Sequence, residues 1–125
     1  MTDQTTLLYV EDNEADVLML KHLLARHRTA AHITIDVATS AADAIATFDA
    51  DRHAAVLVDW ALPDGTGADV GEHVRARSAD TPLIYLSGIQ SARAIEASHR
   101  LSRCAFVKKG HTTDYVEAIL ALLPR

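Results

Sequence analysis

Apolar and polar residues follow one another in a pattern that predicts five strands, each followed by a helix. Residues 7–10 and 54–58 are apolar throughout, as is typical of strands buried on both faces of a parallel sheet. Residues 14–28 instead carry apolar side chains at helical spacing, after Asn13, a residue type that caps helix starts. Alternation of apolar and polar residues predicts a strand at 33–37. Further strands are predicted at 83–86 and 104–108, and helices after Ser40 and at 68–79, 91–101 and 112–123.

The pattern also makes finer predictions about which residues are buried. In the first helix we expect one apolar face formed by Val17, Leu18, Leu20, Leu23 and Leu24. In the second helix the expected face is formed by Ala44, Ile45 and Phe48. Between the third strand and third helix, Pro63, Gly65 and Gly67 predict that residues 60–67 form a loop.

Strict alternation of strands and helices predicts an α/β fold, because helical connections between strands make a parallel sheet. We expect three layers, with a five-stranded parallel sheet between five helices and right-handed crossovers throughout. The 125 residues contain no repeat, linker or second composition zone, so residues 1–125 are expected to form a single domain.

Composition excludes several classes of protein. Hydrophobic residues at 49% and charged residues at 23% are ordinary for a globular chain. The net charge of -5 argues against a nucleic-acid surface, which needs clustered Lys and Arg. The single cysteine, Cys104, favours a reducing compartment, and we expect a cytoplasmic protein. Apolar runs fall short of the roughly 18 residues that cross a bilayer, so membrane insertion is not expected.

Candidate chemistry lies where the strands end, because ligands of open parallel sheets bind beyond the carboxyl ends of the strands. The polar residues at these ends are Glu11 and Asp12, Asp59, Ser87, and Lys108 and Lys109. Close carboxylates need a cation between them, and oxygen ligands favour Mg2+. A hydroxyl and an ammonium suit the oxygens of a phosphoryl group, and a carboxylate can be a nucleophile. Placement alone therefore predicts metal-assisted phosphoryl transfer onto an Asp.

Four segments at these strand ends carry a family resemblance. They are LLYVEDN at 7–13, VLVDWALPDGTG at 56–67, LIYLSG at 83–88 and FVKKG at 106–110. In order and spacing they resemble the receiver domain of two-component response regulators, in particular single-domain regulators of the chemotaxis type. The resemblance covers the whole chain and implies the flavodoxin-like receiver fold.

The resemblance implies a role for each matching acidic residue. Asp59 matches the phosphoacceptor, which receives a phosphoryl group from a phosphohistidine on a sensor histidine kinase or a histidine phosphotransfer protein. Glu11 and Asp12 match the acidic pair that holds Mg2+ together with Asp59. The backbone carbonyl of Ala61 matches a further metal ligand.

The resemblance also implies phosphoryl-binding and switch residues. Lys109 and Ser87 match the residues that bind the phosphoryl group, and Ser87 and Phe106 match the pair that switches on phosphorylation. Strand alternation separates Lys108 from Lys109, and the family's lysine lies three residues after its aromatic residue, which favours Lys109. Gly110 departs from the family, which usually has proline there, often after a cis bond.

The expected function is a signalling domain, not an enzyme beyond its own phosphoryl transfer and dephosphorylation. The expected output is a changed protein surface, for a downstream protein target or for linked domains if the chain is cut from a larger protein. One alternative is a receiver-like docking module that works without phosphorylation. A Mg2+-dependent phosphatase is disfavoured, because it needs a second Asp where this chain has Ala61.

Overall fold

A computed structural model describes residues 4–123 and contains the five predicted strands and five predicted helices in the predicted order, with two further short strands. The strands are β1 Thr5–Val10, β2 Ile33–Ala38, β3 His53–Asp59, β4 Ala61–Leu62, β5 Gly65–Thr66, β6 Leu83–Ser87 and β7 Cys104–Lys108. The helices are α1 Glu14–Arg26, α2 Ala41–Thr47, α3 Gly67–Arg77, α4 Ala92–Ser98 and α5 Thr113–Leu120. No helix in this described part of the chain is long and apolar enough to cross a membrane.

Five strands form one parallel sheet in the order β2-β1-β3-β6-β7. The predicted fold class, a parallel five-stranded sheet with five helices, is therefore confirmed. The order makes β1 and β3 neighbours, with Val10 beside Val58, so the residues that follow these two strands meet at the carboxyl ends of the strands. Strand β7 lies at the opposite edge from β2, next to β6.

Both faces of the sheet are covered, which explains why the interior strands β1 and β3 are apolar without alternation over residues 7–10 and 54–58. Leu7, Tyr9 and Leu57 point to one side and join the buried residues of α1 and α5 in one apolar cluster. Their sequence neighbours Leu8 and Val56 point to the other side and join the buried residues of α2 and α3. The sheet therefore lies between two helical layers, as expected.

Two residues predicted to be buried are exposed instead. Leu18 is 59% exposed and Ile45 is 40% exposed, although Val17, Ala44 and Phe48 are buried. Consecutive helical residues point about 100° apart, so a helix that covers a sheet buries only a narrow stripe. Leu18 and Ile45 each lie one position away from that stripe. The helices α1, α4 and α5 are also shorter at their ends than the pattern predicts.

The segment 60–67 is not only a loop. It contains a small antiparallel hairpin in which Ala61 pairs with Thr66 and Leu62 pairs with Gly65. Gly65 adopts a φ of 152°, which favours glycine, and Leu62 is buried beneath the hairpin. Pro63 and Asp64 form the turn of this hairpin, inside the predicted loop, but a pairing of only two residues on each strand leaves no alternating pattern to detect.

Candidate functional site

Three acidic residues meet where β1 and β3 end. Glu11, Asp12 and Asp59 each bring one carboxylate oxygen within 4.8 Å of those of the other two. Glu11 and Asp59 are buried and Asp12 is exposed. The chain turns into α1 directly after this pair, because the Asn13 side chain accepts a hydrogen bond from the Asp16 amide at 3.1 Å and caps the helix.

Lys109 brings a positive charge into this acidic cluster. Its Nζ donates to Glu11 Oε1 at 2.5 Å and to Asp16 Oδ2 at 2.9 Å, and it lies 3.3 Å from Asp59 Oδ1. Burial by itself lowers the pKa of Lys109, but its hydrogen bonds to Glu11 and Asp16 and the charge of Asp59 outweigh that effect. The net result is a raised pKa, so Lys109 remains a cation in the site.

Glu11 is held in place from several directions. The fully buried Tyr9 hydroxyl donates to Oε1 at 3.2 Å, and the Asn13 amide donates to Oε2 at 3.3 Å. Burial raises the pKa of Glu11 to about 7, although the Lys109 hydrogen bond opposes the shift. A buried carboxylate beside Asp59 favours a compensating cation, and oxygen-only donors fit Mg2+.

Ser87 lies at the carboxyl end of β6. The preceding residue, Leu86, pairs with Asp59 across β3 and β6, so Ser87 lies near the acidic cluster. Its hydroxyl accepts a hydrogen bond from the Ile89 amide at 3.3 Å, and its carbonyl accepts one from the Lys109 amide at 2.8 Å. Within residues 4–123 the Ser87 hydroxyl makes no hydrogen bond to Asp59 or Lys109. This backbone hydrogen bond holds Ser87 next to Lys109.

The other predicted site residues are placed as follows. Ala61 is exposed on β4, two residues after Asp59. Phe106 is half-buried on β7 and packs against the apolar cluster of α2 and α3, whereas Lys108 is exposed. Every peptide bond in residues 4–123 is trans, including the one between Lys109 and Gly110.

Sequence reasoning did not single out Tyr9 or Asp16. Tyr9 is read as a strand residue, but it lies two residues before Glu11, so strand alternation puts both side chains on one face and could have linked them. Asp16 gives a weak signal, because it lies in the first turn of α1 directly after the acidic pair. Its partner Lys109 is 93 residues away in the sequence, so no spacing rule links the two.

Comparisons with known proteins identify the family. The model of the response regulator receiver domain matches residues 7–121, so the chain belongs to this family of two-component signalling domains. Two curated relatives are the acid tolerance regulatory proteins ActR of Rhizobium meliloti and Sinorhizobium medicae. Each is 30% identical over 119 residues, which make up 95% of this chain and 59% of the relative. The chain therefore spans 59% of the length of these relatives.

Solved structures share the fold at low identity. The non-phosphorylated HemR receiver domain from Leptospira biflexa superposes with a TM-score of 0.84 at 23% identity, covering 98% of both chains. The chemotaxis regulator CheY4 of Vibrio cholerae superposes with a TM-score of 0.80 at 19% sequence identity, covering 96% of this chain and 99% of that one. TrrA from Thermotoga maritima, solved in complex with Mg2+-BeF, superposes with a TM-score of 0.77 at 22% sequence identity. The match covers 96% of this chain and 100% of TrrA. The predicted family and fold are confirmed.

Proposed function

We propose that this chain is a phosphoacceptor domain of a two-component phosphorelay, in which Asp59 receives the phosphoryl group. The observation that supports this most directly is the cluster of Glu11, Asp12 and Asp59 at the carboxyl end of the sheet, with the half-buried Lys109 in contact with Glu11 and Asp59. This is the charge arrangement that a phosphorylated carboxylate requires, because it combines acidic metal ligands with a cation for the phosphoryl oxygens.

The metal in this proposal is Mg2+, held by the three carboxylates and the backbone carbonyl of Ala61. The donor set supports it, because every ligand is an oxygen and the carboxylates already lie within 4.8 Å of one another. When bound, Mg2+ supplies positive charge that neutralises the phosphoryl oxygens during transfer.

The proposed step forms a bond between an Asp59 carboxylate oxygen and phosphorus. The phosphorus–nitrogen bond of the donor phosphohistidine breaks, and the imidazole nitrogen keeps the electron pair. Lys109 Nζ, 3.3 Å from Asp59 Oδ1, is close enough to pair with a phosphoryl oxygen. The Ser87 hydroxyl donates a further hydrogen bond after it leaves the Ile89 amide.

The proposed response is a shift between two arrangements of the β6–β7 edge. Ser87 on β6 follows the phosphoryl group, and Phe106 on β7 changes rotamer with it. Their placement supports this coupling, because Tyr85, two residues before Ser87, pairs with Phe106 across the two strands. Phe106 is only half-buried, so its ring has room to move.

We further propose that residues 1–125 act as one cytoplasmic receiver domain and not as an enzyme with its own substrate. The donor is a sensor histidine kinase or a histidine phosphotransfer protein. The output is a downstream protein target or a linked domain, with no direct nucleic-acid contact. The net charge of -5 supports a protein partner over a nucleic acid.

Intact-mass measurement after incubation with acetyl phosphate tests the proposal. We expect one phosphoryl group on the wild type, dependent on Mg2+ and absent from Asp59→Asn. Asp51→Asn, which removes an exposed carboxylate beyond the opposite end of β3 from Asp59, should be labelled like the wild type. Absence of both labelling and Mg2+ binding would favour the phosphorylation-independent docking module. Mg2+ binding without labelling would require the stable mimic beryllofluoride as the next probe.

A further inference from the structure

Lys109 contacts one carboxylate that none of the roles above includes. Its Nζ donates to Asp16 Oδ2 at 2.9 Å, in addition to its contacts with Glu11 and Asp59. Asp16 belongs to the first turn of α1, whereas Lys109 directly follows β7. This ion pair therefore ties the start of α1 to the segment that carries the lysine.

The carboxylates around Lys109 differ in how much solvent they meet. The Glu11 side chain is 1% exposed and that of Asp59 is 13% exposed, but that of Asp16 is 43% exposed. Breaking a buried ion pair leaves an uncompensated charge away from water, which is strongly unfavourable. An exposed carboxylate is rehydrated as its partner leaves, so Asp16 is the contact that Lys109 gives up at least cost.

The surroundings of Asp16 give its side chain room to separate from the lysine. Asp16 lines an open cleft of about 300 Å3 together with Tyr9, Met19, Lys109 and Tyr115. The cleft lies between α1 and the start of α5. Water in this space can solvate the carboxylate once the ammonium has moved.

We propose that Asp16 is a positioning residue that holds Lys109 before phosphorylation and competes with the phosphoryl group for it. The inference rests on the proposed function, since the competitor is the phosphoryl group on Asp59. When that group forms, Lys109 keeps Glu11, releases Asp16 and turns the freed N–H donor to a phosphoryl oxygen. Phosphorylation thereby breaks the tie between the start of α1 and the segment after β7.

Two variants that each remove one negative charge separate this role of Asp16 from a general effect of charge. Asp16→Asn removes the charge but keeps the size of the side chain, and it weakens the hold on Lys109. Glu14→Gln is the matched control, because Glu14 is an exposed acid in the same first turn and has no hydrogen bond to Lys109 in the described structure. Both variants remove one negative charge near the helix N-terminus, so their helix-dipole effects are alike.

The first measurement is a beryllofluoride titration at saturating Mg2+, followed by the fluorescence of Trp60, the single tryptophan, which is adjacent to Asp59. We expect the half-saturating concentration to fall about three- to tenfold in Asp16→Asn, as for the loss of one partly exposed charged competitor. Glu14→Gln should change it less than twofold. Equal effects of the two variants, or weaker binding by Asp16→Asn, would overturn the proposal.

The second measurement does not depend on phosphoryl binding. NMR of the lysine ammonium groups in the metal-free protein is tractable because the sequence contains three lysines, at 21, 108 and 109. The Lys109 signal should shift in Asp16→Asn and remain in place in Glu14→Gln. An unchanged Lys109 signal would refute the hold by Asp16. If the signal shifts but the wild type binds no beryllofluoride, the proposed function and the competition both fail while the ion pair stands.

Discussion

The Tyr85 hydroxyl occupies the space that a β-carbon on Gly71 would need, so the two residues fit only because position 71 lacks a side chain. The same β-carbon would lie 2.9 Å from Leu83 Cδ2. Tyr85 is buried in the middle of β6, two residues before Ser87, and its ring is edge-on to that of Trp60 with 5.3 Å between the ring centroids. This packing joins α3 to the strand that carries a predicted switch residue.

Gly71→Ala should therefore destabilise the fold. Overpacking typically costs about 1–3 kcal/mol, which outweighs the gain of up to about 1 kcal/mol from replacing glycine in a helix. Urea unfolding measures the difference. Gly88→Ala is the control, because its β-carbon would meet nothing within 4 Å. The explanation also requires that Tyr85→Phe recover part of the loss in the Gly71→Ala background.

Arg75 joins three backbone segments through its guanidinium. It donates to the carbonyl oxygens of Ser78 at 2.8 Å, Thr81 at 2.9 Å and Arg103 at 3.2 Å. Arg75→Met should lower the free energy of unfolding by about 1–3 kcal/mol, because these carbonyls lose a charged donor. Arg77→Met is the comparison, since Arg77 is exposed on the same helix. A similar loss in both variants would contradict a specific role for Arg75.

Asp64 connects the hairpin after Asp59 to the start of α2. Its carboxylate accepts hydrogen bonds from the amides of Ala41 at 2.8 Å and Ala42 at 3.0 Å, and these bonds lower its pKa. Asp64→Ala should increase the hydrogen-exchange rates of these two amides, since their acceptor is lost. Glu72→Gln, an exposed acid on α3, serves as control. Unchanged exchange in Asp64→Ala would show that the cap contributes nothing in solution.

Asp36 should make stability depend on pH in the acid range. Hydrogen bonds from Arg52 at 2.7 and 3.1 Å and from buried His53 at 2.8 Å lower its pKa to about 2. A lowered pKa stabilises the fold above the ordinary value near about 4, and the contribution is lost as pH falls toward about 2.

Urea unfolding of the wild type and Asp36→Asn at about pH 6 and about pH 3 tests this linkage. The wild type should be the more stable protein at the higher pH, and the difference should shrink at the lower one. Asp51→Asn, which removes an exposed carboxylate nearby and keeps Asp36, should differ from the wild type by the same free energy of unfolding at both pH values. A constant difference between the wild type and Asp36→Asn would rule out Asp36 as the titrating group.

The strand ends were predictable because strict alternation of strands and helices leaves one sheet edge for polar residues. That rule located Glu11, Asp12, Asp59 and Ser87, and strand alternation separated Lys109 from Lys108. In the structure the Lys109 ammonium contacts the carboxylates of Glu11 and Asp59, and Lys108 is exposed. The roles of these residues in phosphoryl transfer stay predictions.

Most of the details that were missed depend on contacts distant in the sequence or on fine helix geometry. The tie from Asp16 to Lys109 spans 93 residues. Tyr9 is the exception, because it lies two residues from Glu11 on the same face of the strand. Leu18 lies next to buried Val17, so periodicity over a few residues does not separate the two. Such contacts and exposures can be identified only once the helices and strands are packed together.

The bond between Glu11 and Lys109 joins residues 98 positions apart, which has a consequence for synthesis of the chain. A nascent chain that has not yet reached β7 contains the whole acidic cluster but not the ammonium that balances it. Addition of the last strand therefore completes the sheet and neutralises repulsion at the carboxyl ends of β1 and β3 in the same event. Polypeptides truncated before residue 109 would retain Asp59 in a cluster of like charges that opposes folding.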